Sequence, residues 1–331
     1  MATSEGSYFV PNSSPWAERL ELISGDELFK TDDEGTRFHS MVDVPYPLPN
    51  EQMALDHLDT IHSLLKSAMG GSNFHPLLRL RDLGAQNEEH DIVQGPCRVL
   101  DMGCGNGRWM AEMNPLFPLT HFDGFDVANL ALGSRSHMIT FEINDANRPE
   151  GLRNDYEFVH VRRIASGIKR YSDLVQTAYD VLLPGGMACF IEDVGLESPN
   201  ATMGDHTRLM EEANKRAGRI RDARWDIGDE ISRIMVSQGW CNVRTQILDL
   251  SVGTSGGVDG ERLANVLAYN YRYTLRGAVP RDEVDQMIRA AQREWRDPDR
   301  KVVLRIGVNW GYKDLPDQKP SLDNGLKDEL D

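Results

Sequence analysis

The sequence predicts an open α/β fold in which a mostly parallel sheet is covered by helices. Two observations carry that expectation. From Cys97 onward, short apolar runs alternate with amphipathic stretches, the pattern of strands that cross over through helices. One of those runs, Val99 to Met102, passes straight into three glycines, as a strand does where it turns into the next helix of such a sheet.

Residues 1–34 begin polar and rich in Ser and Pro, and are expected to be a mobile N-terminal segment. Gly35 to Pro49 carries three prolines among aromatics, which suits a fixed extended strip lying on the protein. Asn50 is placed to cap a helix whose Ala54, Leu58, Ile61, Leu65 and Ala68 share one face, and Gly70-Gly71 ends it. Residues 72–96 read as a long loop that closes this N-terminal unit. An α/β domain then spans 97–312, with strands at about 98–102, 121–125, 138–143, 156–161 and 187–193. Leu174, Ala178, Val181 and Leu182 mark the helix before the fifth strand, and Pro184-Gly185-Gly186 the turn into it. Residues 195–240 interrupt the alternation with helices at roughly 204–222 and 227–238. Strands near 241–250 and 301–310 follow, separated by helices, one of which begins at Pro280 with Val284, Met287, Ile288 and Ala291 along its face. The tail, 313–331, is polar and expected to be disordered.

Composition narrows the function. The 331 residues are 40% hydrophobic and 27% charged, ordinary for a globular enzyme. The absence of a signal-peptide pattern or a long apolar run points away from a membrane and towards the cytoplasm. A formal net charge of −16 repels phosphate backbones, so nucleic acid is not expected as a partner. Cys97, Cys104, Cys189 and Cys241 form no C-x-x-C pair, and His57 and His62 are five apart, so free thiols and no metal site are expected.

The run Val99-Leu100-Asp101-Met102-Gly103-Cys104-Gly105-Asn106-Gly107 is the sharpest signal. Glycines at a strand-to-helix turn let backbone N–H groups approach a ligand at the carboxyl edge of the sheet. A dinucleotide fingerprint would read G-x-G-x-x-G, and its last position here is Arg108. The chain has G-x-G-x-G instead, with Asp101 two residues before the first glycine. Asp126 ends the next strand, HFDGFDV, where a carboxylate can accept both ribose hydroxyls; Asp123 competes for that role from inside the strand. Asp145, in FEINDAN, closes the third strand. Each lone Asp would also suit a helix N-cap, but recurrence at consecutive strand ends favours binding.

The G-x-G-x-G spacing matches the first motif of Rossmann-like methyltransferases. With TRFHSMVDVPYPLPNEQ, RVLDMGCGNGRW, FEINDANRP, YEFVHVRRIASGI and LLPGGMACFIED in that order, roughly residues 35–195 resemble the LaeA-like branch of fungal methyltransferases. The resemblance implies the class I fold, a seven-stranded, mostly parallel sheet with the last strand antiparallel, to which the alternation read above adds helices on both faces and a helical insertion after strand 5. It implies S-adenosylmethionine as methyl donor and a proline strip around Tyr46 folded over it. The cofactor contacts expected on these grounds are Tyr46, Asp101, Gly103, Cys104 and Gly105, then Asp126, Val127, Asn144, Asp145 and Ala146. The loop 72–96 is longer than the family pattern, and residues after Gly195 do not align with it.

Methyl transfer from a sulfonium is an in-line displacement that needs alignment first and a base only when the acceptor carries a proton. His160, Arg162 and Arg163, at the end of the fourth strand, are the candidates for the chemistry. Tyr46, Arg162, Arg163 and Trp225 are the candidates for substrate contact. Each has a plainer reading: a hydrogen bond within the sheet for His160, a buttress for Arg162, a solvated charge for Arg163 and core packing for Trp225. The expected activity is methylation of a small molecule, with a carboxylic acid favoured as acceptor because arginine suits bidentate carboxylate binding. The alternative is a regulatory methyltransferase of secondary metabolism working in a protein complex, which would be nuclear. A homodimer is compatible with either.

Overall fold

The computed structural model describes residues 29–73, 98–128, 136–199 and 203–314. The expectations for residues 1–28, most of the loop 72–96 and the tail from 315 therefore lie outside the described residues.

Among the described residues the chain starts with a hairpin, β1 (Phe29–Thr31) paired to β2 (Arg37–His39). The mobile segment predicted up to residue 34 is thus corrected from Phe29 onward. The reason is local: Asp32 Oδ1 accepts the backbone N–H groups of Glu34 and Thr36, and Gly35 takes the left-handed conformation the turn requires. Arg276 holds the other Asp32 oxygen at 3.0 Å. Helix α1 (Gln52–Ala68) follows, and Gly70 and Gly71, both with positive φ, terminate it. Asn50 does not cap it. Glu51 occupies the cap position without a side-chain bond, while Asn50 is buried with its backbone N–H on Arg37 O.

The main sheet is built from β3 (Arg98–Met102), β4 (His121–Asp126), β5 (Ile139–Ile143), β6 (Tyr156–Arg162), β7 (Leu182–Glu197), β8 (Cys241–Ser251) and β9 (Val303–Tyr312). Its order is β5-β4-β3-β6-β7-β9-β8, with β9 antiparallel to both neighbours and the pairs from β5 to β7 parallel. The apolar runs bury both faces, as alternation within them requires. Val99, Phe158, Met187, Cys189 and Ile191 face one core, which contains α1 and Trp295. Leu100, Val159, Ala188 and Phe190 face the other, which contains Leu174, Val175 and Ala178. Helices cover both faces: α2 (Arg108–Met113), α3 (Tyr171–Val181), α4 (Asp205–Arg221), α5 (Ile231–Ser237), α6 (Gly257–Thr274) and α7 (Arg281–Trp295). No helix among the described residues is long and apolar enough to cross a membrane.

Three elements differ from expectation. Strand β7 begins at Leu182 because Gly185, in the left-handed conformation, donates to Lys313 O and forms an irregularity within the strand instead of a turn before it. Helix α5 starts later than 227 because Gly228 is held on the sheet: its N–H donates to Asp193 O, and its carbonyl accepts from Asn309 Nδ2. Helix α6 has no distinct start in the sequence, since it opens on poor helix formers, Gly257 and Gly260. Gly260 is needed there because a Cβ would come within 2.2 Å of Gly253 O.

The Gly228 contact positions the loop that carries Trp225. Strand β9 tolerates it only because residue 307 has no side chain, since a Cβ there would lie 2.2 Å from Gly228 O. Gly307→Ala should therefore cost about 1–3 kcal/mol through backbone displacement. Thermal denaturation would show it as a lowered Tm, whereas an unchanged Tm would mean that the loop is free to move away.

Candidate active site

All the parallel strands end at one edge, and the residues that follow them line a single cavity there. Gly103 and Gly105 turn the chain out of β3 with positive φ, and the N–H groups of Gly103 and Cys104 both donate to Phe125 O. A Cβ on Gly103 would strike Ile164 at 2.2 Å, so the first glycine is required by packing against the segment after β6. On Gly105 it would meet Leu58 of α1 at 3.3 Å, so α1 lies directly over the loop.

Asp126 takes the N–H of Gly105 on one oxygen at 2.9 Å and that of Ala128 on the other at 3.0 Å. Burial nonetheless pushes its carboxyl up to about 6, with the nearby Asp101 adding to the effect. Asp145 accepts from the backbone and side-chain nitrogens of Asn147, whose amide also donates to Gly167 O. Asn144 is buried and tied to the backbone of Glu150 and Asp145. The turn after β5 is thereby clamped to the turn after β6, and Asp126, Val127, Asn144, Asp145 and Ala146 form one wall of the cavity.

The proline strip packs on the turn after β6. His39 Nε2 bonds Tyr46 O at 3.1 Å, Lys169 pairs with Asp43, and Tyr46 packs against Gly167, where an added Cβ would lie 3.3 Å from that of Tyr46. Val44, Tyr46 and Leu48 face the cavity. The Tyr46 hydroxyl is pushed well above its ordinary range by burial and by the charge of Asp126.

Arg162 and Arg163 both line the cavity, although alternation alone would turn one away. Arg163 does so because it sits at φ 55°, in the left-handed region just past the end of β6. Its guanidinium is engaged by Asp193, whose carboxyl burial pushes up against that arginine's pull. Arg162 lies 3.1 Å from His62 Nδ1. Burial and the Arg162 charge depress His62 to about 4, so it is neutral and its Nδ1 accepts from the guanidinium. Its Nε2 lies 3.2 Å from Glu112. Burial alone would raise Glu112, but hydrogen bonds from Lys66, Arg108, His62 and Asn73 hold it far below the usual carboxylate range.

His160 does not reach the cavity. It is buried behind the glycine loop, with Nδ1 2.8 Å from Asp101 Oδ1 and its ring stacked 3.9 Å from Trp109. Burial lowers its affinity for a proton. That place suits a brace for Asp101 and does not fit the catalytic role anticipated for His160, because residue 160 is paired with Asp101 inside the sheet, two residues short of the strand end that Arg162 reaches. The other expected residues, including Asp101, Cys104 and Trp225, do face the cavity.

Several lining residues were not anticipated: His57 and Leu58 of α1, Glu192 and Asp193 of β7, Asn214 of α4, and Tyr269 to Tyr271 with Thr274 of α6. Glu192-Asp193 could have been found by the strand-end logic that found Asp126. The aromatic run YNYRYT marks α6, but nothing local says which surface it covers.

A methyltransferase-domain family model matches residues 50–244, more than half of the chain. Methyltransferase pytC of Aspergillus terreus is 27% identical over 163 residues, covering 49% of this chain and 46% of that one. The secondary metabolism regulator laeA of Coprinopsis cinerea is 28% identical, covering 52% and 42%. The chain spans about half the length of these curated relatives. Among solved structures, phosphoethanolamine N-methyltransferase 2 of Haemonchus contortus superposes with a TM-score of 0.47 at 14% identity, over 84% of this chain and 62% of that one. The chain belongs to the methyltransferase domain family and has its Rossmann-like class I fold. Its cofactor is accordingly S-adenosylmethionine.

The position of His160 has a measurable consequence. His160→Ala removes a stacked ring and leaves Asp101 without its partner, which should destabilise the fold by about 2–4 kcal/mol. Chemical denaturation reads this directly, and an unchanged midpoint would show that the brace is dispensable.

Proposed function

We propose that the chain methylates a small organic molecule, using S-adenosylmethionine held between the glycine loop, Asp126 and the strip at Tyr46. The observation that carries this reading is the continuity of one cavity. It is lined both by Asp101, Gly103, Gly105, Asp126 and Asp145 and by apolar and aromatic side chains, Trp225, Tyr269, Tyr271, Val266 and Leu267. A polar donor site opening into a concave apolar pocket suits a small acceptor.

In this reading Asp126 accepts the ribose hydroxyls, Asp145 faces the adenine, and Tyr46 excludes water. Bound S-adenosylmethionine supplies an electrophilic methyl group. The residues around it align the acceptor with that group and exclude water. A carboxylic acid as acceptor is less well served than the sequence suggests, because the fork of Arg163 is already occupied by Asp193. The regulatory alternative draws on the relatives named as regulators of secondary metabolism, and would place the protein in the nucleus instead of the cytoplasm.

Two measurements test the reading. Purified protein supplied with S-adenosylmethionine and a panel of phenols, acids and amines should release S-adenosylhomocysteine with at least one of them; activity only towards a protein partner would favour the regulator. Cofactor affinity should also depend on Asp126. Its carboxyl must be ionised to accept two hydroxyls, and it titrates at about 6, so affinity should fall as pH drops through about 6. Asp126→Asn should lose about 1.5–3 kcal/mol of binding and remove that pH dependence. Calorimetric titration that finds the same slope in both proteins would exclude Asp126 from the cofactor.

A further inference from the structure

We infer that the acceptor is a hydroxyl compound that still carries its proton, a phenol or enol, and that Tyr271 of α6 removes that proton by passing its own to Glu211 of α4. The inference rests on the small-molecule reading above and names its substrate class and proton path.

The geometry comes from two helices outside the cofactor site. Tyr271 lines the cavity, and its hydroxyl donates to Glu211 Oε1 inside the protein. The carboxyl of Glu211 lies behind the cavity wall, beside Gly195, where an added Cβ would lie 4.0 Å from Oε2 and 3.6 Å from the Trp225 ring. Both residues are buried, with Glu211 only 7% exposed. Tyr271 feels the charges of Asp193 and Arg163, which are bonded to each other, and Arg163 also acts on Tyr46, so the pair borders the same cavity as the strip.

A second observation points to a polar acceptor here. Asn214, one turn along α4 from Glu211 and 5% exposed, lines the cavity with its Oδ1 unpartnered, and the Nε1–H of Trp225, which also lines it, is unpartnered too. Buried polar atoms of this kind are costly unless a partner completes them. One acceptor and one donor on an aromatic wall suit a planar compound that bears oxygen functions.

The proton path follows. As the acceptor oxygen forms its bond to the methyl carbon, the S–CH3 bond breaks and sulfur keeps the electron pair. The acceptor's proton passes to Tyr271 Oη while the tyrosine's own proton passes to Glu211, so Tyr271 stays neutral. The groups that face Glu211 are Tyr271 from α6, Asp193 from β7, Asp226 from the loop after α4, and Lys215 on its own helix. Burial pushes its carboxyl up to about 8, against the bond from Tyr271 and the charge of Lys215, with Asp193 and Asp226 adding to the rise. A base near that value is matched to a phenol and superfluous for a carboxylic acid, which is already ionised at neutral pH.

The test uses the full chain with S-adenosylmethionine and matched phenols, benzoic acids and anilines, reading S-adenosylhomocysteine. Phenols should be methylated in preference to the acids, with kcat rising with pH through about 8 as Glu211 ionises. Glu211→Gln and Tyr271→Phe should each lower kcat about 100-fold and flatten that limb, with Glu211→Asp restoring part of it and cofactor affinity unchanged in all three. Circular dichroism and a Tm for each variant exclude unfolding. Preference for acids or anilines, a limb that survives Glu211→Gln, or a limb abolished by His57→Ala alone would overturn the inference while leaving the small-molecule reading intact. No transfer to any compound in the panel would overturn both.

Discussion

Desolvated carboxyl groups along one sheet edge are the constraint on which the rest of the structure depends. A parallel sheet aligns its strand ends, and here those ends carry Asp101, Asp126, Asp145, Glu192 and Asp193. An ionised carboxylate removed from water without partners costs several kcal/mol, more than a domain can absorb many times over. Each of these groups is accordingly met by a different neighbour: His160 for Asp101, backbone N–H groups for Asp126, Asn147 for Asp145, Arg163 for Asp193, and for Glu192 the N–H of Ile164 with the Tyr171 hydroxyl. Ala128 and Asn147 are local partners, but His160, Gly105, Arg163 and Ile164 come from other elements, and the Asn147 amide also reaches Gly167, so satisfying the edge draws the loops after β3, β5 and β6 together.

That satisfaction is incomplete in a useful way. Burial still leaves Asp126 at about 6 and both Glu192 and Glu211 at about 8, so the edge takes up protons around neutrality. Glu112 lies at the opposite extreme, where four hydrogen-bonding neighbours outweigh burial. The difference separates two kinds of acidic group. Glu112 anchors α2 to α1 through His62 and Lys66 and gains nothing from titrating. Around the cavity, Asp126, Glu192 and Asp193 are instead raised, because burial outweighs their hydrogen bonds and charges.

The cavity wall formed by the glycine loop, Asp126 and Asp145 was legible in the sequence because its residues lie at or just past strand ends. Strand β3, its glycines, Asp126 and Asp145 each sit at a strand end, and strand ends can be read from apolar runs. Residue 160 was misplaced because polarity in a strand does not reveal which end or face a side chain serves; two residues further on, Arg162 and Arg163 do reach the edge. The N-terminal hairpin was missed because its stability comes from an Asp32 turn and from Arg276, 244 residues away. Helix α6 was undefined because its glycines serve contacts with Gly253 that no local pattern announces.

The acceptor half differs in kind. Its walls come from Asn214 on α4, Trp225 on a loop fixed by Gly228, and Tyr269 to Tyr271 on α6, which meet only after β9 has been placed between β7 and β8. The family match covers residues 50–244, so it contains the glycine loop and Asp126 but not α6, β9 or Tyr46. Likeness within that span therefore carries the chemistry of the donor and is silent on half of the acceptor's surroundings. A relative could share every residue that faces the methyl donor and still differ at Tyr271, and it would then need another route for the proton or an acceptor with none to lose. In the proposed reading the acceptor would meet both Asn214 and Trp225, which lie inside the matched span, and α6, which lies outside it and packs against α4.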